Sequence, residues 1–171
     1  MNSMKDLLVE QLQDLYDGEI QVLAALPRMH MQASDEELKE AIEVHIAETQ
    51  NQVMRLERSF RMLEEEPTRK DCMGMRGILA ETEEAMNEAT YAPVKDMSII
   101  AHALRIEHYE KAGYQIAIII ADRIDAEDVA DLLEESYEEE SLAAEALENF
   151  ATESFFDKIK EAFSNEGGAH V

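Results

Sequence analysis

Carboxylates placed inside apolar helical stripes restrict what this chain can fold into more than any other feature of its sequence. Glu107 and Glu110 lie one helical turn apart in the run His102-Ala103-Leu104-Arg105-Ile106-Glu107-His108-Tyr109-Glu110, which otherwise reads as an apolar helix. Glu19 interrupts Leu8, Leu12, Leu15, Val22 and Leu26 in the same way. Burying carboxylates on the inner faces of several helices is costly unless a cation or a proton neutralises them. The pattern therefore predicts a metal site inside a helical bundle.

The rest of the composition agrees with helices. Across 171 residues there are six glycines, three prolines and no tryptophan, while Glu, Ala, Leu, Met and Ile abound. A hydrophobic content of 46% with clear apolar periodicity argues against disorder despite 32% charged residues. The length suits a single domain, residues 1–171, with a core over about 5–151 and a mobile Gly-Gly tail.

Thirty-nine acidic side chains against 15 basic ones leave a formal net charge of −24. Such a surface repels phosphate backbones, so neither nucleic acid nor an anionic membrane is an expected partner. Most of these acids read as an ordinary solvated face, which directs attention to the few at buried phases. The single cysteine, Cys72, permits no intrachain disulfide or thiolate cluster and reads as a small buried hydrophobe. No stretch approaches a membrane span and Met1 to Asp6 lack a signal-peptide layout, so the expected location is a reducing cytoplasm.

The periodicity predicts a first helix over about Lys5 to Gln32, with Pro27 near its end, and a second from a Ser34/Glu37 capping box to about Glu64. A shorter helix over about Cys72 to Ala89 reads as a crossover. Pro93 suits the first turn of a third long helix, about Val94 to Asp122, and Asp125-Ala126-Glu127 restarts a fourth that reaches about Phe150. A short amphipathic piece, Phe155 to Phe163, follows. Two antiparallel hairpins joined by a crossover make an all-α four-helix bundle with one long connection, the topology of ferritin-like folds.

Depth and facing select the candidate ligands. Antiparallel helices share a rise of about 1.5 Å per residue, so a turn centred between Ala33 and Ser34 sets Glu19 level with Glu48. A second turn centred on Asp125 sets Glu110 level with Glu140. At about 100° per residue, Glu19 and Glu107 fall near the centres of their stripes, with Glu110 about 60° and Glu48 about 80° away. Glu140 lies within the stripe of the fourth helix, Glu139 at its edge as a reserve, and Glu138 points outward.

His45, one turn before Glu48, is either a ligand or a core histidine satisfied by a hydrogen bond, and Gln52 is placed to support the site from behind. Tyr16, Tyr109 and Tyr114 read as packing residues, one of which can hydrogen-bond a ligand carboxylate or protect the site by oxidation. His30, His102, His108 and His170 read as surface or flank residues. The metal set is thus Glu19, His45, Glu48, Glu107, Glu110 and Glu140. Five carboxylates and an imidazole suit two divalent ions of the iron or manganese type, zinc remaining open by affinity, with positions left for dioxygen or peroxide. No catalytic residue is assigned.

These segments carry a resemblance. Leu15-Tyr16-Asp17-Gly18-Glu19, His45-Ile46-Ala47-Glu48-Thr49 with Arg55-Leu56-Glu57, Cys72-Met73-Gly74-Met75, Glu107-His108-Tyr109-Glu110, and Leu132-Leu133-Glu134-Glu135 with Glu138-Glu139-Glu140 resemble the YciE/YciF family of bacterial stress proteins over about Lys5 to Ala151. The resemblance implies a ferritin-like, rubrerythrin-related fold, a homodimer and a two-metal site. Against the ferritin and rubrerythrin pattern, Glu-x-x-His is reversed here as His45-x-x-Glu48, and Ala143 stands three after Glu140 where a histidine is usual. Fewer nitrogen ligands weigh against conventional ferroxidase turnover, and a Cys-x-x-Cys rubredoxin pair is absent. The expected function is a stress protein that reacts a reduced metal pair with peroxide or dioxygen. The alternative is a non-catalytic helical scaffold or interaction protein.

Overall fold

The computed structural model describes residues 1–154; the amphipathic piece expected at Phe155 to Phe163 and the glycine tail lie outside them. Five α-helices follow in order: α1 Met4–Gln32, α2 Glu36–Met62, α3 Met73–Glu88, α4 Ala92–Arg123 and α5 Glu127–Asn149, the last running into a π-helical turn, Phe150–Ser154. Ile116 to Ala121, the run with most strand character, is helical within α4.

Local chemistry sets the helix ends. Ser3 accepts from the Asp6 N–H at 3.0 Å while Asp6 accepts from the Ser3 N–H at 3.2 Å, a reciprocal cap for α1. The expected Ser34/Glu37 box does not form. Asp35 caps α2 instead, accepting from the N–H groups of Glu37 and Leu38 at 2.9 and 3.2 Å. Ser34 is drawn away because its hydroxyl donates to Asp96 of α4 at 2.5 Å. Pro93 occupies the first turn of α4 as its fixed φ favours. Asp125, at φ 58°, turns the chain from α4 into α5.

α1 packs against α2 and α4, and α5 packs against α4 and α2, so the four long helices form a square in which the hairpins α1/α2 and α4/α5 lie side by side. The crossover α3 lies against α1 and α4. Gly74 lets its N-terminal turn approach α4, since a Cβ there would collide with the Tyr109 ring and hydroxyl. Cys72 is buried as expected, its Sγ 3.2 Å from the Tyr109 hydroxyl and 3.3 Å from Asp14 Oδ2. Burial pushes the thiol pKa up, which keeps it protonated and unreactive.

The apolar core is split. One cluster joins Leu8, Leu12 and Leu15 to Leu56, Phe60, Ala117 and Leu133. The other joins Val22, Leu26 and Met29 to Leu38, Ile42, Met75 and Ile100. On every long helix the residues between the two clusters are polar yet buried: Glu19 on α1, His45, Thr49 and Gln52 on α2, Glu107 and Glu110 on α4, Ser136 and Glu140 on α5. Each fully buried Leu or Phe contributes roughly 1.5–3 kcal/mol. The two clusters thus clamp a polar layer that is unfavourable on its own.

Candidate metal centre

The polar layer is built one helix at a time. The α1/α2 turn is centred near Ser34 and the α4/α5 turn at Asp125, which brings Glu19, His45, Glu107, Glu110 and Glu140 to one depth. All five are at least nine-tenths buried. One donor atom from each of His45, Glu107, Glu110 and Glu140 lies within 4.8 Å of every other. That grouping is the nucleus of the site.

Glu19 enters it from one side. Its Oε1 accepts a 2.5 Å hydrogen bond from the Tyr114 hydroxyl, and its Oε2 has no partner. Glu48 stands at the opposite margin, half-buried, with Oε2 3.8 Å from His45 Nδ1. His45 Nε2 lies 3.4 Å from Glu107 Oε1, but neither ring nitrogen is aligned for a hydrogen bond. Of the two adjacent acids on α5, Glu140 faces the cluster. Glu139 is held by Arg55 in a two-pronged pair at 2.6 and 2.7 Å and accepts from Gln52 at 3.1 Å.

The electrostatics are those of too many carboxylates and too few cations. Burial, and then the neighbouring Glu140, push Glu19 well above the ordinary glutamate range, with the Tyr114 bond opposing. Glu107 is raised by burial, by its contact with Glu140 and by the charges of Glu19 and Glu48. Glu110 is raised by burial and then by Glu19, Glu140 and Glu107. Arg55, whose charge reaches Glu19, is committed to Glu139 and Glu135. Each buried ion left uncompensated costs several kcal/mol.

The donors fit a metal. Both oxygens of Glu110 and of Glu140, Oε2 of Glu19 and of Glu107, and both nitrogens of His45 are buried without a hydrogen-bond partner. Orphaned buried polar atoms are rare in folded proteins, and here those of His45, Glu107, Glu110 and Glu140 are drawn together. A set rich in carboxylate with one imidazole matches iron or manganese by ligand type and accepts zinc by affinity.

Of the three tyrosines, one of which was expected to hydrogen-bond a ligand carboxylate, Tyr114 does so, donating to Glu19 from the core. Other participants were not evident from sequence. Arg55 lies two turns after Glu48 on the same side of α2, a spacing that could have flagged it. Asp17 is buried and accepts from Gln21 one turn on in α1, and from Arg69 and the Cys72 N–H, two partners in the segment before α3 that no helical spacing reveals. His102, expected at the surface or on a flank, is buried, with Nδ1 2.8 Å from the Ser98 carbonyl oxygen: it faces the α4 backbone one turn earlier, which gives that nitrogen a partner without a metal. His30 and His108 lie outside the cluster beside Glu43 and Glu148, and His170 is beyond the described residues.

Residues 3–160 match a family described as a domain of unknown function, DUF892. The chain belongs to this family. As a DUF892 domain it is 31% identical over 144 residues to Protein YciF of Escherichia coli (strain K12), a match covering 82% of this chain and 85% of that protein. The crystal structure of the E. coli stress protein YciF superposes with a TM-score of 0.85 at 30% identity, covering 88% of this chain and 96% of that one. YcfI from Rhodopseudomonas palustris gives 0.84 at 34% identity, covering 86% and 94%. A ferritin-like, diiron-carboxylate protein of Bacillus anthracis str. Ames gives 0.67 at 16% identity over 88% and 99% of the two chains, a likeness of fold. The DUF892 chain is therefore a ferritin-like, all-α protein related to YciF, with a buried His/Glu cluster able to hold metal.

Proposed function

We propose that this protein is a ferritin-like stress-response protein in which Glu19, His45, Glu48, Glu107, Glu110 and Glu140 hold two divalent ions, iron first, with manganese or zinc as the other candidates. The observation that carries this reading is the convergence of unpartnered buried donor atoms from α2, α4 and α5, with Glu19 Oε2 of α1 also buried and unpartnered. When bound as ferrous iron, such a pair would supply the electrons for reduction of peroxide or dioxygen. The protein's own contribution is positioning. The carboxylates would be ionised when metal is bound and would compensate its charge, while the flanking apolar clusters restrict bulk water. Tyr114 holds Glu19 in place from α4.

His45, Glu107, Glu110 and Glu140 would provide the common donor group, to which Glu19, through its free Oε2, and Glu48, beside His45, would each add a carboxylate. A homodimer is part of the proposal, and light scattering at several concentrations tests it. The activity is tested by elemental analysis of protein purified without added metal, followed by stopped-flow mixing of the ferrous form with peroxide. Rapid oxidation of the bound iron supports the reading. Absence of both metal and reaction assigns the chain to the scaffold class instead.

A further inference from the structure

Between the N-terminal half of α2 and the C-terminal half of α5 the surface opens into an apolar groove, floored by Leu26, Met29 and Ile106 and bounded at its outer end by Phe150. Its inner end reaches the carboxylate cluster at His45, Glu48 and Glu107, where the Glu48 side chain is 34% exposed. Ala41 and Val44 on one wall, and Leu142 and Ala146 on the other, are apolar and exposed. A contiguous apolar strip of this kind on a highly charged chain marks a surface that is covered in use.

The chain carries a segment that matches this groove. Ser154, the last described residue, lies about as far beyond Glu140 as the end of α1 lies beyond Glu19, so α5 and its π-helical turn reach the same end of the bundle as the α1/α2 turn. The sequence then continues Phe155-Phe156-Asp157-Lys158-Ile159-Lys160-Glu161-Ala162-Phe163. At about 100° per residue Phe155, Phe156, Ile159, Ala162 and Phe163 share an arc of about 120°, with the charged side chains outside it. A path straight on from α5 would carry three phenylalanines past the bundle into water, whereas the groove begins at Phe150, one turn before Ser154. From Phe150 back to Leu142 the groove runs about 12 Å, the length of a helix of about nine residues. Lys158 and Lys160 balance Asp157 and Glu161, so the segment is neutral and is not repelled by a chain of net charge −24.

We infer that the groove between α2 and α5 is an intramolecular docking surface for residues 155–163, which turn back at the end of α5 and seat their apolar side in it. The seated segment covers Ala41, Val44, Leu142 and Ala146 and closes the side on which Glu48 meets solvent. Because the fit rests on apolar surface, chain length and charge, it holds whether or not the carboxylate cluster binds metal.

The test places Ala146→Cys in the full chain, whose one native cysteine, Cys72, is buried, and follows alkylation by iodoacetamide with mass spectrometry. The inference expects alkylation at least tenfold slower than in the same chain carrying Phe155→Ser, Phe156→Ser and Phe163→Ser. It also expects alkylation at least tenfold slower than at Ile119→Cys, an exposed position on α4 away from the groove that the serines leave unaffected. Both differences are expected at every protein concentration. Equal rates at Ala146→Cys with and without the serines overturn the inference. So does an Ala146→Cys thiol as reactive as Ile119→Cys in the unaltered tail, a comparison that stands even if the triple variant does not fold. Protection that grows with protein concentration, together with a larger particle by light scattering, assigns the groove to a second copy of the chain and likewise overturns it.

Discussion

The Tyr114 hydroxyl donates to Glu19 Oε1 at 2.5 Å, joining α4 to α1 at the level where the core turns polar. Both side chains are buried. Burial, and then the Glu19 charge, push the phenol well above its ordinary pKa, so it remains a protonated donor throughout the neutral range. Glu19 is thereby fixed with one oxygen satisfied and the other free to face the cluster.

Tyr114→Phe keeps the ring in the core and removes only this donor. Leaving a buried carboxylate oxygen unpaired is expected to cost about 1–3 kcal/mol. Urea unfolding followed by circular dichroism measures it as a lower midpoint at unchanged slope. A variant as stable as wild type contradicts the assigned role of the bond.

Asp96 does comparable work at the α1/α2 turn. It is buried and accepts from the Ser34 N–H at 2.7 Å, the Ser34 hydroxyl at 2.5 Å and the Asp35 N–H at 3.2 Å. Asp96→Ala strands these donors and is expected to cost about 2–3 kcal/mol, with Asp96→Asn milder because one acceptor survives. The same urea experiment ranks the two, and equal losses would show that the carboxylate's acceptor geometry is not what holds the turn.

The metal-free protein has a pH dependence whose sign follows from Glu19, Glu107 and Glu110. All three are raised in the folded state, chiefly by burial. The folded chain therefore holds protons that the unfolded chain releases. The stability this confers is complete below the ordinary glutamate pKa and is lost as pH climbs through the raised values. Calorimetry in chelator is expected to show Tm falling from about pH 5 to about pH 8. Saturating manganese is expected to flatten or reverse the trend, because metals bind the deprotonated ligands. A metal-free Tm that rises over this window contradicts the account.

Much of the site could be read from the chain because helices convert spacing into position. Glu19, Glu107, Glu110 and Glu140 interrupt apolar stripes, and the centres of two turns set their depth, so their convergence followed from periodicity. What periodicity does not carry is competition between partners. Ser34 lost the cap of α2 to Asp35 because Asp96, far away in sequence, claimed its hydroxyl. Glu139, at the edge of the stripe about 100° from Glu140, was taken by Arg55. His102 was turned into the protein by a carbonyl of its own helix. Glu48, at the limit of its stripe, lies at the margin as its phase implied.

The central claim is that the buried acids exist to hold cations, and anaerobic titration of the metal-free protein with ferrous iron, read by equilibrium dialysis, tests it most directly. The account predicts saturation near about two ions per chain, with Glu107→Ala falling to well under half of the wild-type content while its helical circular dichroism is largely retained. Wild-type protein that takes up no iron saturably, or a Glu107→Ala variant that binds as much as wild type, contradicts it.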